Sequence, residues 1–530
     1  MGITNINGGK LNVKSLANNS GQEYGSVGAV NKRIQLSNGA TLGIKATTTS
    51  NQILRISEGG GIVEVASGAT LTQTANITGQ GQTLTKTGSG TLTLGTNMTI
   101  SKLVINGGTI NAQLNSSTNV ALPATVEFNS GQLSDPNNQG AYATNSTNFI
   151  VPEGKSGTLL CDPRCNYTGS LTGSGTFTAI AAGVRGYFNG DWSKFEGTLI
   201  PGLQKRGSYD PTFNFTNSKG LPMATLRLNS GITFSNDDPD GSKNRSYNVT
   251  IGSVTGTGTL AGKGTYTIGV NDKDFTVGFK STSPVIKSGK GTMYLTSGKF
   301  SAPLTISNGK LSFYTAQGTS LIGTNALTVK NGTAVNGFGQ LSSLTLENGS
   351  ELTINYADED DDATPGTLIT TGRMSVNEGA KVIFVIETLD RYSKLQPNSL
   401  TMNGTVVVVL GSSYVPKKGD TFTLWTTDDI GGTPSWTLPQ LPAGLYWNTT
   451  DLAKSGILSI TDTPTSISPI AGATLIDCEV FTITGIRLGS FQTQRNKFRA
   501  GVKKLGIVPG TYIVRVKNGR NIDTETVVIR

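Results

Sequence analysis

Apolar and polar positions alternate along most of this chain in runs of only four or five residues, broken by Asn-Gly, Ser-Gly or Gly-x-Gly. Alternation at period two is the signal of a strand with one buried face. Asn-Gly and Gly-x-Gly supply the left-handed backbone that a tight turn needs. One phrase, alternation, turn, alternation, recurs at Ile34-Gln35-Leu36-Ser37-Asn38-Gly39-Ala40-Thr41-Leu42 and at Val63-Glu64-Val65-Ala66-Ser67-Gly68-Ala69-Thr70-Leu71. It returns at Leu103 to Ile110, Leu304 to Leu311, Leu327 to Val335 and Leu344 to Leu352. A second phrase, Gly-x-Gly-Thr followed by alternation, opens at Gly88, Gly173, Gly256 and Gly289. Strands this short cannot bury a face alone, but stacked coil on coil they enclose a continuous Leu/Ile/Val interior. The pattern therefore predicts an all-β chain whose residues 1–380 form a solenoid, a right-handed parallel β-helix. At one ladder spacing per coil (~4.8 Å), about 15 coils would make a rod on the order of 70 Å long.

Composition narrows the choice. Of 530 residues, 69 are Gly, only 15% are charged and 35% are hydrophobic. Low hydrophobicity can mean disorder, but disorder goes with few β-branched residues and a high net charge. Here Thr, Val and Ile are abundant and ordered in alternation. The chain has no His, which excludes a Ser-His-Asp or Cys-His site and any His-ligated zinc or haem. Three cysteines are too few for a disulfide scaffold, and no 18-residue apolar run predicts a transmembrane helix. After Met1-Gly2 the sequence opens on the repeat-like Ile3 to Leu11 rather than on a signal peptide, so it reads as a piece of a longer precursor.

Texture changes near 380. Lys381 to Ile386 and Thr405 to Leu410 are longer apolar strands, and Trp425, Trp436 and Trp447 follow. Residues 381–462 are expected to form a β-sandwich-like cap over the open end of the solenoid, where unpaired edges would invite aggregation. A Thr-Pro-Thr-Ser linker at 463–466 introduces a last module, 463–530. It carries ten Lys/Arg against four Asp/Glu, most of the chain's net +9. A basic patch can mark a nucleic-acid binder, but no such motif or aromatic–basic platform accompanies it.

Three resemblances attach to these phrases. Residues 88–110 and 289–311 resemble the autotransporter-associated β-strand repeat, Gly-x-Gly-Thr-Leu-x-Leu followed by Leu-x-Ile-Asn-Gly-Gly-Thr-Leu, and residues 3–11 resemble a half-copy. This implies an exported bacterial β-helix and says nothing of catalysis. Residues 140–250 depart from the pattern and read as a decorated part of the same rod, anchored by Trp192. Residues 419–447, with Gly-Asp-x-Phe and Leu-Pro-x-Leu-Pro-x-Gly-Leu-x-Trp, resemble the segment that ends such repeat proteins. Residues 467–530 resemble the C-terminal sorting domain of type IX secretion substrates, a small Ig-like β-sandwich, through Gly485, Pro509, Gly510, Tyr512, Val514 and the turn at Gly519. Phe481 stands where that family has Tyr, and Val508 where Leu is common. The resemblance implies export across the outer membrane of a Gram-negative bacterium by the type IX secretion machinery, cleavage of the module, and attachment of the cargo to surface lipopolysaccharide.

Candidate chemistry is sparse. Asp237, Asp238 and Asp240, with the Gly241 turn, approach the spacing of a calcium loop, although Asp-Gly in a loop is ordinarily only a turn. The run Asp358 to Asp362 lacks the alternating spacing and reads as a solvated loop. Arg185, Asp191, Lys194 and Glu196 are close enough in sequence to suggest the carboxylate-and-base cluster of a polysaccharide lyase or hydrolase, with no diagnostic spacing. Cys161 and Cys165 could close a small-loop disulfide in an oxidising compartment, leaving Cys478 as a buried thiol. No catalytic residue is assigned, and calcium is the sole cofactor considered. The expected role is structural or adhesive display at the cell surface, with glycan contacts along exposed coil faces. The rivals are a carbohydrate-active enzyme, or its non-catalytic scaffold, and a plain spacer.

Overall fold

The structure is a computed structural model. It describes residues 3–16, 24–25, 28–29, 32–112, 121–134, 143–161, 165–182, 187–204, 212–238, 243–295, 300–314, 320–356, 364–427, 429–464, 475–483, 486–494, 508, 510–518 and 521–529. One coil shows how the alternation becomes a solenoid. Ile53–Ile56, Gly61–Val65 and Thr70–Gln73 are three short strands on three faces of one turn of the rod. Each lies parallel to its counterpart in a neighbouring coil: Arg33–Ser37, Ala40–Ile44 and Thr91–Leu94 respectively. Leu54, Ile56, Val63, Val65 and Leu71 point inward and are almost wholly buried, while Ile53 faces out. Glycines with left-handed φ make two of the corners, Gly59 and Gly60 (+79° and +75°) and Gly68 (+72°).

Register then stacks like on like. Leu71 sits beside Leu92, Leu92 beside Ile110, Ile110 beside Leu133, and Leu133 beside Leu159, all buried. The result is one hydrophobic cluster running from Ile6 to Leu458. Coil length is not constant: the step is 21 residues from Leu71 to Leu92 but 28 from Leu226 to Val254. Long steps absorb excursions without breaking the ladder. The stretch 140–250, which departs from the repeat phrases, stays on it. Rings join the aliphatic side chains in its interior: Phe128, Phe149, Phe177, Trp192, Phe188, Phe213, Phe234 and Tyr266 follow one another at centroid distances of 4.8–6.3 Å.

Among the described residues, two lysines lie inside the rod. Lys86 donates to the carbonyls of Thr87 (2.8 Å), Gly88 (2.8 Å) and Gly107 (3.2 Å). Lys287 donates to those of Gly289 (2.7 Å), Gly291 (2.5 Å) and Asn308 (3.0 Å). Each stands two residues before a Gly-x-Gly-Thr phrase. All three ammonium protons are used on turn carbonyls of its own coil and the next. In the other two copies that position is Leu171 or Val254, also buried.

The expected boundary at 380 does not coincide with a break in the ladder. Lys381–Ile386 pairs in parallel with Glu351–Thr353 on one side and Thr405–Leu410 on the other, and Thr405–Val407 pairs with Ser435–Thr437. Those strands look different in sequence because their half-exposed outward positions, such as Ile383 and Val385, are apolar too. This end of the rod also carries an antiparallel sheet. Thr421–Thr423, Ile457–Thr461 and Tyr446–Asn448 form a three-stranded sheet whose Phe422, Leu424, Trp425 and Leu458 join the rod's own core. Its one-turn helix, Leu452–Ser455, ends at Gly456 (φ +73°), where a Cβ would meet the Trp425 carbonyl at 2.4 Å.

The last described module is a four-stranded antiparallel sheet, in the order Arg487–Gln494, Leu475–Thr482, Gly510–Asn518, Asn521–Ile529. Of the expected sandwich, this one sheet is what the described residues contain. Cys478, Val480, Tyr512 and Val514 are buried there, outside the cluster that fills the rod. Among the described residues no helix is long and apolar enough to cross a membrane.

Candidate functional site

The residues singled out in sequence are mostly occupied with holding turns. Asp191 lies in a loop pinned by the fully buried Trp192 and Phe195. One carboxylate oxygen accepts from the Ser193 hydroxyl (2.6 Å) and backbone N–H (3.1 Å), and the other from Lys219 (2.6 Å). The Lys219 ammonium, helped by Ser193, pulls its carboxyl down to about 2. A carboxylate so held is ionised at neutral pH and cannot serve there as a general acid. Lys194 and Glu196 are exposed on the same loop, and Arg185 lies outside the described residues.

The acidic loop behaves similarly. Asp237 accepts the Lys263 backbone N–H at 2.9 Å. Asp238 donates its own N–H to the Arg245 carbonyl (2.8 Å) and receives the Tyr187 hydroxyl at 3.4 Å. Asp240 and the run 358–362 lie outside the described residues. Among the described residues, no three Cys, Asp or Glu side chains converge in a way that could hold a metal.

Cys161 is buried and disulfide-bonded, whereas Cys478 is a buried thiol outside any disulfide. The Cys165 side chain lies outside the described ones. In the last module, Gly510, Tyr512 and Val514 share one central strand, while Gly485, Pro509 and Gly519 lie outside the described residues. The buried Tyr512 donates its hydroxyl to the Val508 carbonyl at 2.5 Å, the type of tyrosine-to-upstream-backbone tie found in Ig-like sandwiches. Phe481 is roofed by the Arg515 guanidinium, 5.1 Å from its ring centroid.

A cleft that sequence reasoning missed lies on the rod's flank. Its volume is about 430 Å³, and it is lined by Thr225, Ser253, Thr255, Lys273, Asp274, Phe275, Thr276 and Tyr294. A seam in the ladder opens it. The half-strand from Ser253 to Gly256 pairs with Thr225–Leu228 on one side. Phe275–Val277 instead starts a fresh ladder with Met293–Leu295. Among the described residues no register pairing joins Ser253–Gly256 to Phe275–Val277. Between them the chain detours through Asp272, in left-handed conformation (φ +60°). The Asp272 and Asp274 carboxylates hold the backbone N–H groups of Lys290 (2.7 Å) and Thr292 (2.6 Å). Thr225 and Ser253 hydrogen-bond to each other across the coils at 2.9 Å. Coil spacing gives no signal for it, since the 28-residue step beside the cleft is exceeded by the paired 30-residue step from Leu344 to Met374.

No protein-family profile matches the chain, and no curated protein does. Among solved structures, it is similar to the passenger domain of plasmid-encoded toxin, an autotransporter enterotoxin from enteroaggregative Escherichia coli. The identity is 11% and the TM-score 0.27, over 93% of this chain and 71% of that chain. A likeness that low carries no argument here. The parallel ladders of the chain itself define its class, an all-β solenoid of the β-helix type.

Proposed function

We propose that this chain is a secreted or surface-displayed rod of a Gram-negative bacterium whose coil faces contact glycans, and whose last module, 463–530, is an address read by type IX secretion machinery. The observation that carries the glycan reading is the repetition of polar side chains from coil to coil on the outside of the rod. Asn129 donates to Asn106 and Asn189 to Asn166, both at 2.8 Å, and Thr405 meets Ser435 at 2.9 Å. Amide and hydroxyl pairs of this kind, recurring between neighbouring coils at separate places on the rod, suit a polymer of hydroxyls better than they suit a lipid or a polyanion. The export reading is supported by the separate antiparallel sheet with its buried Tyr512 and by the match of 467–530 to the sorting pattern.

Two assays test these claims independently. Purified chain on a broad glycan array is expected to bind a subset of polysaccharides without degrading them. Product formation on the same substrates would overturn the adhesive reading in favour of an enzyme, and no binding would leave a spacer. A periplasmic reporter carrying residues 463–530 at its C-terminus is expected to reach the surface of a type IX-competent host. Retention of the reporter would overturn the export reading.

A further inference from the structure

We propose that the cleft at the ladder seam is a subsite for one ring of a neutral polysaccharide. This rests on the glycan reading above and assigns it a place. Three features converge. First, the lining is rich in hydroxyls: Thr225, Ser253, Thr255, Thr276 and Tyr294. The Thr225–Ser253 pair spends one donor between two hydroxyls, so a donor and acceptor lone pairs remain for a ligand. Second, Phe275–Val277 runs beside Ser253–Gly256 without a register pairing, and the groove between the two half-strands is where the hydroxyls gather. Third, Tyr294 stands in register with Thr276, putting an aromatic ring among the hydroxyls, where the C–H face of a sugar can pack.

Charge and size narrow the ligand. The cleft has one cation and one anion, Lys273 and Asp274. Such a pair can give and take hydrogen bonds from ring hydroxyls, whereas a phosphate or uronate site would call for a cationic excess. A volume of about 430 Å³ lies at the small end of ligand sites, about 300–1,000 Å³. It suits a single unit of a chain that continues along the flanking coils.

The test uses the full chain and a panel of neutral oligosaccharides (glucans, galactans and mannans), with affinities read by titration calorimetry. Tyr294→Ala and Thr276→Val are the cleft variants, and Thr276 is exposed enough that its change leaves the fold intact, as far-UV circular dichroism would verify. Lys194→Gln, on another coil, is the control. Each cleft variant is expected to weaken binding about tenfold, the scale of one net hydrogen bond or ring contact, with the control unchanged. Equal binding by wild type and both cleft variants would overturn the cleft while leaving the glycan reading standing. A wild-type chain that binds no member of the panel but binds acidic glycans overturns the neutral assignment, and one that binds no glycan overturns both.

Discussion

At the scale of single residues, the buried lysines are the least expected feature. Lys86 is wholly enclosed, and burial pushes its ammonium down to about 8 from an ordinary 10.5. Replacing it in Lys86→Met leaves the Thr87, Gly88 and Gly107 carbonyls without that donor. The expected local loss is about 1–3 kcal/mol, read as faster hydrogen exchange in peptides spanning 86–112. Its pH dependence has a definite sign. Below pH 8 the lysine is charged whether folded or unfolded, and burial of that charge counts against the fold. Between pH 8 and 10.5 the folded state binds fewer protons than the unfolded one, so stability rises with pH. Wild type should therefore gain on Lys86→Met between pH 7 and 9.5, and a gap moving the other way would contradict the assignment. Cysteine makes a simpler prediction. If Cys161 is bonded to Cys165, alkylation of unfolded, unreduced chain should label only Cys478, and reduction should raise the count to three.

At the scale of elements, the period-two pattern is legible wherever inward positions are apolar and outward ones polar. It misleads where both are apolar, as in Lys381–Ile386, because outward Ile383 and Val385 hide the fact that this strand continues the same parallel ladder. The aromatic row through the decorated stretch shows how far coils can vary while keeping register. Trp192 touches Phe177, Phe188 and Phe215 at 5.4–5.9 Å. Trp192→Ala should cost about 3–5 kcal/mol. Because a solenoid is held by nearest-neighbour contacts, limited proteolysis should then cut within the coils around 128–266 before it cuts elsewhere. Uniform cleavage along the rod would mean that the row is not a local unit.

At the scale of the whole molecule, the rod and the antiparallel cap share one core, whereas the buried residues of the last sheet lie outside it. Deleting 463–530 is accordingly expected to leave the strand signal and thermal midpoint of the rod unchanged, as circular dichroism on the two chains would show. A drop of more than a few degrees would mean that the module contributes to the rod's stability. The sequence by itself determined the all-β class, the parallel stacking, the turn positions and the separate texture of the last 68 residues. The first three follow from short alternating strands that repeat between glycines at left-handed turns, and the last from a Thr-Pro-Thr-Ser linker and an excess of Lys and Arg. Only the tertiary structure decided where the ladder ends, how the candidate carboxylates are occupied and that a seam opens a hydroxyl-lined cleft. Each depends on which coil lies beside which: Lys219 reaches Asp191 from 28 residues away, and Thr225 meets Ser253 across the same separation. Coil lengths that vary from step to step hide such neighbours from any reading of local spacing.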